Sequence, residues 1–128
     1  ASPGYCWHFQ GSRSVVLIRL STPVQPVAIT IQHNSKIASS LGTLSSAPQD
    51  FTVSVSYCWV LGGLDEEGKE EILLGTFIYT VQKDSTQTFL LQNGILRAFE
   101  ILKLVIWSNW GRPGYTCIHQ MQVHGRIA

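Results

Sequence analysis

FTVSVSYCWV, residues 51 to 60, decides the fold. Phe51, Val53, Val55, Tyr57 and Trp59 stand at one parity, and Thr52, Ser54, Ser56 and Cys58 at the other. Successive side chains leave a pleated backbone on opposite sides, so this two-residue period predicts a strand with one buried and one polar face. On that reading Cys58 points away from the core. Further strand signals lie on either side. SVVLIRL (Ser14 to Leu20) and PVAITIQH (Pro26 to His33) are rich in β-branched residues and flank an STPVQ turn. LGTFIYTV and QTFLLQ follow, separated by QKDST. FEILKLVIWSN (Phe99 to Asn109) is apolar at both parities, as a central strand covered on both faces must be. A last strand is expected from Thr116 to Val123. Only SKIASSLG and DEEGKEEILL offer a turn of helix. About seven strands with turn signals between them predict an all-β chain, an antiparallel β-sandwich of the jelly-roll kind, as one domain over residues 1–128.

Composition narrows the function classes. The 128 residues are 45% hydrophobic and only 13% charged, with a net charge of +1. The nine basic residues are scattered along the chain and nearly balanced by eight acidic ones, so no footprint for nucleic acid or an anionic membrane is present. The apolar runs, such as VVLI and LVIW, are far too short to span a bilayer as a helix. An opening at ASPGYCW, without a secretory signal, reads as an excised domain.

Cys6, Cys58 and Cys117 permit one bridge and one leftover thiol, and all three pairings are open. A bridge from Cys6 to Cys117 would close a loop of roughly 110 residues, worth about 4–5 kcal/mol in the chain-entropy model less any strain. It would also imply an oxidising compartment, whereas three reduced thiols would suit a cytosolic domain.

Catalytic and metal constellations are weak. His33, Ser46 and Asp50 lie close in sequence, but no G-x-S-x-G elbow presents the serine. Asp65, Glu66, Glu67, Glu70 and Glu71 crowd a Gly-bearing hairpin tip, the usual place for solvated charge. His119 and His124 are five apart on a strand and so face opposite sides, and neither His8 nor His33 has a companion at a ligand spacing. Neither an enzyme nor a zinc site is expected.

The segment SNWGRPGYTCIHQMQVHG (108–125) nevertheless concentrates the most reactive side chains of the chain. Tyr115, Cys117, His119, Met121 and Val123 share one parity, which becomes apolar toward its end and is read as the core side. Tyr115, Cys117 and His119 then sit where that face opens at the rim. A hydroxyl, an imidazole and a run of strand N–H groups together suit a carboxylate. The small and polar residues from Asn34 to Asp50 form a loop of unusual length, a class that is commonly functional.

SPGYCWHFQG, VVLIRLS, PVAITIQH, SSAPQDF, LLGTF, QTFLLQ and WSNWGRPGYTCIHQMQVHG, in that order, resemble the SUN domain over nearly the whole chain. The terminal NWG-x-P-x-YTCI-x-x-x-x-VHG block is the most specific part of the match. The resemblance implies the lumenal module of inner-nuclear-membrane proteins, a β-sandwich assembled as a trimer, or as hetero-oligomers with other SUN proteins, on a coiled-coil stalk. It implies pairing of Cys6 with Cys117. The implied partner is the C-terminal tail of a KASH protein, gripped in the perinuclear space as part of the LINC complex. Ser46 and Tyr115 fall at positions lining the pocket for the tail's carboxylate, and His33 falls beside its prolines. Cys117 and His119 complete the expected peptide-binding set. At His119 the family commonly carries Tyr, so this chain departs there, and the departures at His119 and Cys58 suit a divergent, germ-cell type of member. A structural potassium ion is implied too, held by backbone carbonyls that here reduce to those of Tyr5 and His119. The family's lid hairpin, stalk and membrane anchor lie upstream of residues like these. The 128 residues alone are therefore expected to be monomeric and to bind KASH tails weakly.

A rival expectation is a discoidin-like sandwich binding glycan or lipid through rim loops. That reading needs Trp7, Trp107 and Trp110 at the surface.

Overall fold

The computed structural model describes residues 6–33, 44–56, 71–92 and 97–127. It is an antiparallel all-β structure of eight strands: β1 (Trp7–Gln10), β2 (Ser14–Gln32), β3 (Asp50–Ser56), β4 (Glu71–Ile78), β5 (Thr86–Leu90), β6 (Phe99–Ile106), β7 (Tyr115–Ile118) and β8 (Gln120–Ile127). A six-stranded sheet runs β4-β3-β6-β2-β5, with β8 also paired to β2, and β1 and β7 form a separate two-stranded sheet.

The predicted alternation holds where β3 is described. Phe51, Val53 and Val55 are fully buried, whereas Tyr57, Cys58 and Trp59 lie outside the described residues. Ser54 is a departure from the polar face, buried at 3% because its hydroxyl donates to Glu71 across the pair. β6 lies between β3 and β2 and is apolar on both sides, with Leu102, Leu104 and Ile106 buried on one and Ile101 and Val105 on the other.

The expected STPVQ turn does not form. Ser14 to Gln32 is one strand of 19 residues that changes partners along its length. Ser14 to Arg19 pair with β6, the register then shifts before Val24, and Ala28 to Gln32 lie between β5 and β8. Pro23 and Pro26 fall near these irregularities, where a missing N–H costs the ladder least. The bulges let one strand serve both layers of the sandwich, a bend rather than a reversal. Phe89 of β5 meets Phe51 of β3 edge-on at 4.9 Å, and Phe77, the partner of Phe51 in the β3–β4 ladder, stands 5.5 Å from it. Ile29, Ile31, Leu74, Phe99 and Ile118 complete the dry centre.

The expected last strand is in fact two. β7 pairs with β1, and β8 pairs with β2. His119 stands between them, its N–H donating to the Gln32 carbonyl at 2.9 Å. The inside–outside alternation therefore changes sense at His119. In β8 Met121 and Val123 turn inward, as expected, but in β7 the core side belongs to Thr116 and Ile118.

Candidate functional site

Cys6 and Cys117 are joined by a disulfide with their Cα atoms 5.6 Å apart. The bridge ties the chain's first described residue to β7 across a sequence separation of 111. Around it the strand period gathers polar side chains. His8 lies directly opposite Cys117 in the ladder, and its ring is 4.8 Å from that of Tyr115. Arg112 holds its guanidinium 5.1 Å from the Tyr115 ring. Two glycines with positive φ, Gly111 and Gly114, let the chain turn sharply before Tyr115. Asn109 secures that turn. Its carbonyl oxygen accepts from Gly111 N–H, and its amide group reaches the carbonyls of Arg112 and Tyr115 and the Thr116 hydroxyl.

The expected residues converge from three separate segments. His33 follows β2, Ser46 lies in the turn before β3, and His119 follows β7. The His33 Nε2 and Ser46 Oγ are hydrogen-bonded at 3.1 Å, both residues being buried. The His33 ring meets the His119 ring at a right angle with centroids 4.9 Å apart. Ser46 accepts the Cys117 N–H through its carbonyl at 2.8 Å. His33 and Ser46 thus form a floor, and Tyr115 and His119, each half-buried, stand nearer solvent.

Strand N–H groups were an expected donor set for a carboxylate, yet those of Cys117 and His119 are already given to Ser46 and Gln32. Donation therefore falls to side chains. Arg112 was not expected beside this site, and His8 was weighed only as a metal ligand. Their places on β1 and in the turn depend on the β1–β7 pairing, which period alone does not reveal. Burial, and secondarily the nearby His8, hold the His119 imidazole below the ordinary histidine pKa.

A hydrolase arrangement is not assembled by these groups. Ser46 is 3% exposed, and the Asp50 carboxylate is occupied by the Ser108 hydroxyl at 2.9 Å. For the potassium ion, Tyr5 lies outside the described residues. Of the three tryptophans that the glycan- or lipid-binding reading needs at the surface, Trp7 and Trp107 are about half exposed. Trp110 packs on the core and donates its indole N–H to the Tyr79 carbonyl at 2.7 Å. Among the described residues, no helix is long and apolar enough to cross a membrane.

The family model described as Sad1/UNC-like C-terminal matches residues 1–127. The chain is 40% identical over 127 residues to SUN domain-containing protein 2 of Mus musculus, covering 98% of this chain and 16% of that protein. It is 41% identical over 127 residues to SUN domain-containing protein 5 of Homo sapiens, covering 99% and 31%. With the sperm-associated antigen 4 protein of Mus musculus it shares 43% identity over 123 residues, covering 96% and 26%. The chain thus spans only a sixth to a third of these relatives' lengths. In fold it is similar to the crystal structure of an F5/8 type C domain from Bacteroides fragilis, with a TM-score of 0.68 at 11% identity, covering 100% of this chain and 78% of that one. The likeness shows a discoidin-type sandwich and nothing about ligands. From a family match over all but its last residue, and from relatives near 40% identity, this chain belongs to the Sad1/UNC-like C-terminal family, the SUN domains.

Proposed function

We propose that this domain is a non-catalytic interaction module that holds the C-terminal tail of a KASH protein in the perinuclear space. In that role it links the nuclear interior to the cytoskeleton as part of a LINC complex. The observation that carries the reading is the convergence of His119, Ser46 and His33 beside the Cys6–Cys117 bridge, from segments far apart in sequence, with Tyr115 packed on His8 two residues before Cys117. The tail carboxylate would meet the Tyr115 hydroxyl and the His119 imidazole, with His8 and Arg112 adding positive charge or donors around it. The Ser46–His33 pair beneath keeps the floor in shape. Among the described residues β1 has a strand partner on one side only, and Trp7, His8 and Gln10 are exposed. An extended tail lying along that edge gains main-chain hydrogen bonds, while its end is captured by side chains. In the whole protein we expect trimers or hetero-oligomers anchored in the inner nuclear membrane by segments outside these residues.

Binding of KASH tail peptides with a free or an amidated C-terminus tests the reading. Amidation should weaken capture at least about tenfold, the scale of a lost charge-assisted hydrogen bond. Tyr115→Phe should lose most of the same difference. Equal capture of both peptides would remove the carboxylate pocket from the account.

The glycan- or lipid-binding reading is disfavoured. It needs three surface indoles, and Trp110 is committed to the core.

A further inference from the structure

The two segments joined by the disulfide carry one pattern, Cys-x-His. Cys6-Trp7-His8 lies on one side and Cys117-Ile118-His119 on the other. Cys6 and His8 are two apart at the start of β1, a spacing that turns both to one face on extended backbone, whereas His119 is brought back to the bridge at the bend after β7. The antiparallel ladder then sets His8 against Cys117. Ligand atoms of Cys6, Cys117 and His119 all lie within 4.8 Å of one another, and Cys6 Sγ is 3.9 Å from His8 Nδ1. The Nδ1 of His119 is buried and has no hydrogen-bond partner.

We propose that, when the bridge is reduced, Cys6, His8, Cys117 and His119 bind one Zn2+ ion. Two thiolates and two imidazoles make the Cys2His2 set of structural zinc sites, with metal–sulfur distances of about 2.3 Å and metal–nitrogen distances of about 2.0–2.1 Å. Tetrahedral geometry at those lengths spaces the donors about 3.3–3.8 Å apart. The sulfurs must therefore part by nearly two ångströms from bonding distance and the imidazoles close in on them, movements that side-chain rotation has to supply.

The backbone frame does not depend on the sulfurs. The β1–β7 ladder, the Gly11 N–H to Gly114 carbonyl bond at 2.8 Å and the Thr116 hydroxyl to Gly11 carbonyl bond at 3.1 Å all hold the segments together. Reduction uses two equivalents of a monothiol of the glutathione class, giving two cysteine thiols and one low-molecular-weight disulfide. Each thiol then loses a proton to solvent as the metal binds. Reoxidation by a disulfide of the same class re-forms the Cys6–Cys117 bond, yields two monothiols and releases the ion. The two ends of the domain are thereby joined in either redox state, by a covalent bond or by a metal.

Co2+ titration of the full chain, in a Cys58→Ser background, tests this with and without a phosphine reductant. The reduced protein should take up one Co2+ with thiolate-to-metal charge transfer in the near ultraviolet and the visible bands of a tetrahedral site, displaced by one equivalent of Zn2+. The oxidised protein should show neither. His8→Gln and His119→Gln should each weaken the metal by more than the ~10-fold typical of an outer-shell partner. Where reduction alone unfolds the chain, Zn2+ should restore the near-ultraviolet circular dichroism of the parent and not of the two histidine variants. Absence of charge transfer in the reduced protein, or metal affinity that neither histidine substitution changes, overturns the proposal.

Discussion

Ser46 Oγ and His33 Nε2, from the turn before β3 and the residue after β2, share a 3.1 Å hydrogen bond with both side chains almost fully withdrawn from water. Ser46→Ala removes that bond while the imidazole nitrogen stays buried, which costs about 1–3 kcal/mol. Thermal unfolding should register the loss, and a Ser46→Thr variant that keeps the hydroxyl should lose less.

Asn109 organises the turn that presents Tyr115, through contacts with Gly111, Arg112, Tyr115 and Thr116. Asn109→Ala should destabilise the domain by about 2 kcal/mol, since several partly buried backbone groups lose a partner together. Denaturant midpoints measure this, and hydrogen exchange should quicken first at residues 111–116.

Gly125 sits at the β2–β8 bulge, where an added Cβ would stand 2.2 Å from the Gln25 carbonyl oxygen. Backbone cannot step aside as a flexible side chain does. Gly125→Ala should therefore cost about 1–3 kcal/mol by overpacking. An unchanged midpoint in chemical denaturation would show that β8 does not approach β2 this closely.

Two groups set opposite pH limits. Burial raises Tyr79 to about 12, against a smaller lowering from the His33 backbone hydrogen bond. The unfolded chain loses this proton near pH 10 while the fold retains it, so stability is full below pH 10 and falls by roughly 2–3 kcal/mol as pH climbs toward 12. Tyr79→Phe should flatten that alkaline loss. His119 is held below its ordinary pKa by burial and then by His8, so the unfolded chain binds its proton first as pH drops. That contribution is intact above about 6.5 and erodes as pH falls below it. In His8→Gln the His119 titration followed by NMR should move upward.

The sequence already displayed the sandwich. The parity of Phe51, Val53 and Val55 and the two-sided apolar character of β6 depend on local period and burial, which neighbouring residues encode. Strand pairing was less accessible. Pro23 and Pro26 read as a reversal, but a bulged strand that changes partners tolerates the same prolines. The parity from Tyr115 through Val123 failed at His119 because β7 and β8 belong to different sheets, and partner exchange leaves no mark on hydropathy. The convergence of His33, Ser46, Tyr115 and His119 came from the family likeness rather than from spacing. His8 was weighed only as a metal ligand, since its proximity to Tyr115 exists only after β1 has paired with β7, and Arg112 reaches the same ring from the turn before β7.

Backbone and histidine-ring NMR shifts, followed while a KASH tail peptide is added, locate the binding surface directly. The account predicts the largest changes at His8, Tyr115, Cys117 and His119, strongly reduced with an amidated peptide at the same concentration. Changes centred instead on Trp107 or on the outer edge at Leu90, or the same pattern with the blocked peptide, would contradict it.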